Sequence, residues 1–454
     1  MSQLSDEILH NRPDRVLFLL QSGVDPNALD IYGFTPLIEA AIANHLDLGK
    51  LLVEYGANCK ARDLTQGTAL HWAVENNNVA FSRFLLEQGA DPNVYNQSQQ
   101  APLVLPLLRR QQALKEALYQ YGADLKFAQD YINTKLIGHR FELTGTVDIV
   151  DPNQVFIPVD LEGFILEFTL SVMQDSLLQF KNNFGARNVR THFPELQEVI
   201  MAFVGANNLI QYQHHLVDIE RHTQRLSRIA QQKVLLLPVG YEGHAITFAR
   251  CGQWFAKCDR GANSQHNPSV GIYRMTRPQA FNTEFLKHLV YQKQSKRFVT
   301  ETIFQMLELE EIATLPLPSQ LTGNCSWANV EAAIAALLFM LRYSVNASME
   351  EAQSTAMEIY QQWQRWDQDW ALHQCVESFY EANPARKASK AALLGAVLFQ
   401  TCRYTQPADL ERANKILAVL ATPEYRYVLD AYLKTYRGTP AGHNLMELVD
   451  LYSR

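Results

Sequence analysis

Apolar residues in the first quarter of the chain recur at helical spacing in short Leu-rich runs, and the runs close on glycines. Gly23, Gly56, Gly89 and Gly122 stand 33 residues apart. The text repeats in register around them, as Ser22-Gly-Val-Asp-Pro-Asn27, Tyr55-Gly-Ala-Asn58, Gln88-Gly-Ala-Asp-Pro-Asn93 and Tyr121-Gly-Ala-Asp124. A unit made of a turn and two short helices cannot bury its apolar face alone, so this period predicts a stacked array over residues 1–126. The first unit is short and polar. The fourth has lost its turn glycine and carries Pro106 inside its expected helix, so both are expected to act as caps. Beyond the array the pattern changes. Residues 141–149, 155–159 and 164–170 predict strands, and 187–232 predicts helix. Residues 234–237, 244–250, 253–258 and 270–275 predict further strands, with a hairpin turning at Cys251-Gly252. From Ser326 the pattern is helical, over 326–343, 349–366, 371–382, 385–403, 409–421, 425–436 and 441–453. The expected fold class is multidomain α+β: an α-solenoid (1–126), a central α+β domain (127–343) and an α-helical domain (344–454).

Gly33-Phe-Thr-Pro-Leu-Ile-Glu-Ala-Ala41 and Gly67-Thr-Ala-Leu-His-Trp-Ala73 open the second and third units, and with them the array resembles the ankyrin repeat. Thr35-Pro36 suits a helix start, and Ala40, Ala41 and Ala73 let neighbouring helices approach. His71 is expected to pack. The resemblance implies a surface that binds proteins and has no chemistry of its own, with Ile31, Tyr32, Leu64 and Tyr95 projecting from the turn tips. Leu19, Asp25 and Asn27, and again Leu85, Asp91 and Asn93, resemble the sequence that asparaginyl hydroxylases accept. That likeness implies Asn27 and Asn93 as modification sites.

At 454 residues the chain is too long for one core, in line with several domains. Its net charge of −7, with no basic block, argues against direct nucleic-acid binding. No stretch has the uninterrupted apolar length of a membrane span, and the first residues lack the features of a signal peptide. The expected setting is a cytosol-like compartment, or export by another route. Six cysteines without CxxC spacing suggest neither disulfides nor a zinc site. Cys251, Cys258 and His266 have the wrong spacing for a metal, so no metal, no cofactor and a monomeric state are expected.

One cysteine is placed as a nucleophile should be. Cys325 follows a turn and opens an Ala-rich helix, where free backbone N–H groups favour thiolate. Gln320, five residues upstream, is in reach to donate to an oxyanion. The hairpin supplies a base and its orienter: if Arg250 pairs with Trp254, His244 falls opposite Arg260 and beside Asp259.

The chain order His244, Asp259, Gln320, Cys325 resembles the cysteine-peptidase clan of adenovirus endopeptidase, ubiquitin-like-protein proteases and YopJ-type acyltransferases. Three features depart from it. Ser326 replaces the usual glycine, Gln320 is one residue nearer than usual, and sixty residues separate Asp259 from Gln320. The papain family also sets a Gln before a Cys at a helix start, but its cysteine comes first in the chain. Taken together, the chain resembles the ankyrin-repeat effectors with a cysteine-protease-like domain that intracellular bacteria inject into host cells. The resemblance implies delivery by type IV secretion and action in host cytosol or nucleus. It also implies a host protein bound by the repeats and cleavage of a peptide or isopeptide bond by Cys325, His244, Asp259 and Gln320. A binding scaffold with a vestigial triad, or an acyltransferase on the same triad, stands as the alternative.

Overall fold

The computed structural model describes residues 3–163, 166–210, 219–261, 269–320 and 323–453. The 33-residue period becomes four helix pairs: α1 (Gln3–Leu9) with α2 (Pro13–Gln21), α3 (Pro36–Ile42) with α4 (Leu46–Glu54), α5 (Ala69–Glu75) with α6 (Val79–Glu87), and α7 (Val104–Leu108) with α8 (Gln112–Gln120). The four glycines after the second helices have φ between 83° and 92°, the left-handed region a side chain disfavours. The Thr35 side chain accepts from Ile38 N–H and caps α3. Pro106 confines α7 to a single short turn of helix. The stack is closed by a longer helix, α9 (Leu125–Arg140), whose Phe127, Ala128 and Tyr131 join the ankyrin core.

Strand β1 (Thr146–Val150) pairs with β2 (Phe156–Asp160) as a separate antiparallel ribbon. The strand expected over 141–149 starts later, because α9 runs to Arg140. The strand expected over 164–170 is the start of a helix, α10 (Leu166–Asn182). The local alternation there is part of a helical stripe: Leu170, Met173, Leu177 and Phe180 recur every three or four residues and are all buried.

Helices α11 (Phe193–Ile210) and α12 (Thr223–Ala230) lead into a five-stranded antiparallel sheet, β3 (Val234–Tyr241), β4 (His244–Cys251), β5 (Trp254–Cys258), β6 (Val270–Met275) and β7 (Leu309–Thr314), in that spatial order. Helices α13 (Thr283–Tyr291) and α14 (Ile303–Leu307) lie between β6 and β7. Both faces of the sheet are covered. Leu235, Leu237, Ile246, Phe248 and Phe255 face α12, α13 and α14, while Leu236, Ala249, Ala256, Cys258 and Ile272 face α15 (Cys325–Tyr343). Among the described helices α15 alone is long and apolar enough to cross a membrane, and nearly all of it is buried as the central core helix.

Helix α16 (Met349–Tyr380) is continuous where two helices were expected. The polar stretch read as a break contains Asp367, which is buried and paired with Arg140 at 2.7 Å. Ala352 to Trp363 of α16 pack with α15, and Leu372 to Phe379 pack with α17 (Pro384–Thr401), α18 (Pro407–Leu420), α19 (Arg426–Thr435) and α20 (Pro440–Tyr452). One helix thus runs through two cores.

Candidate active site

The site is built at the open end of the β4–β5 hairpin. Glu242 and Gly243, at φ 47° and 80°, form the tight turn from β3, so His244 is the first residue of β4. On the far side Gly252 and Gln253 turn the chain into β5, with Cys251 opposite Trp254 and Thr247 opposite Cys258. The expected pairing of Arg250 with Trp254 is off by one, because the turn has two residues and not three. Continued past Cys258, the observed register sets His244 opposite Gly261. Asp259 then lies two residues from Gly261, on the same face as His244. The expected register would have turned that carboxylate to the other face. A side chain at position 261 would begin 3.1 Å from His244 Cε1 and 3.2 Å from Asp259 Oδ1, so that the ring would have to give way by a few tenths of an ångström.

His244 Nε2 and Asp259 Oδ1 are 2.9 Å apart. Lys257 Nζ lies 3.5 Å from Asp259 Oδ2. Burial presses the Asp259 carboxyl upward, yet the His244 hydrogen bond and the Lys257 charge hold it below its ordinary value. The hydrogen bond to Asp259, and then the neighbouring Cys325 side chain, raise the His244 imidazolium from 6.5 to about 9. Cys325 Sγ accepts from Ala245 N–H at 3.3 Å at the start of α15. Burial pushes this thiol up. The His244 side chain and the Ala245 and Ser326 N–H groups together outweigh it and leave the thiol below its ordinary value. The other five cysteines are buried, and burial raises every one of them. Of six thiols, Cys325 alone is shifted in the direction that favours thiolate.

Gln320 is anchored beside this group by its N–H, which donates to Arg260 O at 2.8 Å. Its Oε1 is buried with no protein partner among the described residues. Two residues were not foreseen. Arg260, 2% exposed, pairs through its guanidinium with Glu142 at 2.7 Å and Glu331 at 3.3 Å, and donates to Pro318 O at 2.8 Å. Asn329, fully buried, accepts from Arg260 N–H and donates to Ala245 O, each at 2.6 Å. The available signal was spacing: Asn329 is four residues after Cys325, one helical turn along the same face.

The ankyrin positions divide. Ile31, Tyr32 and Leu64 are exposed at turn tips, with Ile31 at 74% and Leu64 at 71%. Tyr95 does not project. Its ring packs 6.2 Å from Phe127, because α9 closes directly over the third turn. His71 is a packed residue, its Nδ1 accepting from Thr68 N–H within a capping box and its pKa lowered to about 4 by burial. Asn27 donates to Gly56 O at 3.0 Å and accepts from Asn58 N–H at 2.7 Å. Asn93 does the same with Gly122 O and Asp124 N–H, so both side chains tie repeat to repeat. Cys251 and Cys258 are buried in adjacent strands, and His266 lies outside the described residues.

A family model for ankyrin repeats matches residues 5–96, in three copies. No curated protein matches the chain. The solved structure of the Legionella effector AnkH is similar over 100% of this chain and 97% of its own, with 42% sequence identity and a TM-score of 0.85. The chain belongs to the AnkH family. Within this AnkH-family chain the matched repeats stop at Asn96, before the unit that Pro106 shortens, so the degenerate fourth pair lies between the recognisable repeats and α9.

Proposed function

We propose that this AnkH-family chain is an effector in which the repeats hold a host protein and Cys325 cleaves a peptide or isopeptide bond. The observation that carries the reading is the contrast among the cysteines. Only Cys325 is lowered, with the His244 side chain the largest lowering cause, and that imidazole is itself held by a carboxylate. In the proposed reaction the Cys325 thiolate attacks the carbonyl carbon and His244, as imidazolium, protonates the leaving amine. Water, deprotonated by His244, then releases the acyl group from sulfur and restores the thiolate. Asp259 holds the imidazole in place. Gln320, through its Nε2 amide, and the Cys325 N–H would meet the oxyanion. Family membership supports delivery into host cells by type IV secretion and action in host cytosol or nucleus. The exposed Ile31, Tyr32 and Leu64 support a protein-binding face on the array.

Thiol-directed ubiquitin and peptide electrophiles test the reading. The wild type is expected to form a covalent adduct at Cys325, with His244→Ala reduced at least a hundredfold and Cys325→Ala unlabelled. Labelling unchanged in His244→Ala, or absent from the wild type with every probe, would favour a binding scaffold. A chain that transfers an acyl group to an amine but not to water would be an acyltransferase on the same three residues.

A further inference from the structure

The hairpin that carries His244 and Asp259 stops pairing one rung too early. Thr247 and Cys258 are its last paired residues, and the next hydrogen-bonded rung in that register would join Ala245 to Arg260. The backbone is oriented for it. Asp259 N–H donates to Ser269 O on the β6 side at 2.8 Å, so Arg260 N–H faces β4. The rung is absent because the Asn329 carboxamide stands in the gap. Arg260 N–H donates to Asn329 Oδ1, and Asn329 Nδ2 donates to Ala245 O, each at 2.6 Å.

A carboxamide has the donor and acceptor of a peptide group, so it satisfies both strands while holding them apart. The two remaining ends of the rung are thereby released to the site. Ala245 N–H, which would have met Arg260 O, donates to Cys325 Sγ at 3.3 Å. Arg260 O, which would have met Ala245 N–H, accepts from Gln320 N–H at 2.8 Å. All four ends of the missing rung therefore serve α15 or the segment before it. The opening also leaves the His244 ring its place over Gly261.

We infer that Asn329 is a positioning residue: its carboxamide replaces one rung of the β4–β5 ladder and so fixes the residue after the base, the residue after the acid, and the hydrogen bond to the nucleophile in one frame. This rests on the reading of Cys325 as the nucleophile, but its test needs no substrate. Asn329 touches none of the reacting atoms. It acts through Ala245 and Arg260.

The test is the pH dependence of Cys325 alkylation by iodoacetamide in the full chain, read by mass spectrometry. In Asn329→Ala the released strands are expected to close or drift, removing Ala245 N–H from the sulfur. The alkylation midpoint should rise by about one pH unit or more, a tenfold loss of thiolate near neutral pH. Asn329→Ser, too short to span both strands, should shift in the same direction. A folded Asn329→Ala or Asn329→Ser chain with a lowered melting temperature but the wild-type midpoint would reduce Asn329 to a packing residue and overturn the inference.

A wild-type arm does not depend on either variant folding. With asparagine-selective 15N labelling, the Asn329 side-chain amide should exchange slowly and shift through the same pH midpoint as Cys325. Fast exchange with no shift would contradict the role. If the variants move the midpoint while no electrophilic protein probe reacts, the positioning role stands and the hydrolase reading fails. If probes react and the midpoint is indifferent to residue 329, the reverse holds.

Discussion

Gly261 has no side chain because the His244 ring occupies the space where one would begin. Its φ is not in the left-handed region, so the requirement is for room and not for backbone freedom. Gly261→Ala is therefore expected to displace the imidazole from Asp259 and to lower probe labelling of Cys325 by about tenfold or more, without loss of fold. Equal labelling would show that the ring has room elsewhere. His244 is expected to titrate near 9 by NMR, against 6.5 for a free histidine. In Cys325→Ala it should fall but stay above 6.5, because Asp259 is the larger cause of the shift. The folded value lies above the unfolded one. The interaction therefore stabilises the fold fully below about pH 6.5, and the contribution is lost as pH rises through about 9. At this scale the residues that meet at the candidate site were legible: Cys325 before an Ala-rich helix, His244 after a Gly turn, Asp259 at hairpin distance. Asn329 and Arg260 were not. A buried amide and a buried guanidinium read as ordinary helix and loop polarity until the partners they bridge are close in space.

The β4–β5 hairpin shows how much depends on one residue of register. Strand positions were readable from alternation, but whether two or three residues make the turn decides which face Asp259 occupies, and Cys251-Gly-Gln253 admits both. The burial of Cys251 against α15 and the packing of the half-buried Trp254 on Tyr343 fit the two-residue turn. Past the hairpin, Arg260 ties its end to the chain on either side, through Glu142 after α9 and Glu331 on α15. Arg260→Met would leave two acidic side chains without their cation, Glu331 in full burial, and is expected to destabilise the central domain by about 3 kcal/mol or more. Urea unfolding followed by tryptophan fluorescence measures it, and a loss within error of zero would mean that Glu331 takes up a proton at little cost. The stripe misread over 164–170 has a similar origin. Seven residues are too few to separate a period of two from one of 3.6, because both allow apolar side chains at i and i+4, as at Leu166 and Leu170.

Across the whole molecule, two helices join what the period changes had separated. Helix α9 gives Phe127, Ala128 and Tyr131 to the repeats and Ile137 to the C-terminal core, while its His139 stacks on Trp327 of α15 at 5.6 Å. Helix α16 is shared between the α15 core and the C-terminal helices. The repeats are therefore joined to the rest of the chain through the packing of α9, and a chain beginning at Leu125 should bind hydrophobic dye and aggregate. A monomeric, dye-silent fragment would show instead that α9 holds its shape alone. The ankyrin array was readable in detail because each repeat contacts only its neighbours, so its period appears directly in the sequence. The long-range sharing of α9 and α16 leaves no comparable trace. The same whole-chain view sets the decisive measurement, because five of the six cysteines lie in three separate cores and the sixth lies in the site. Iodoacetamide labelling across pH, resolved cysteine by cysteine in the wild type and His244→Ala, is expected to show Cys325 alone reacting below the ordinary thiol range. In His244→Ala its midpoint should return to that range or above it, while the other five stay silent in the folded chain. A Cys325 that titrates as an ordinary thiol in the wild type, or that is indifferent to His244, would contradict the account.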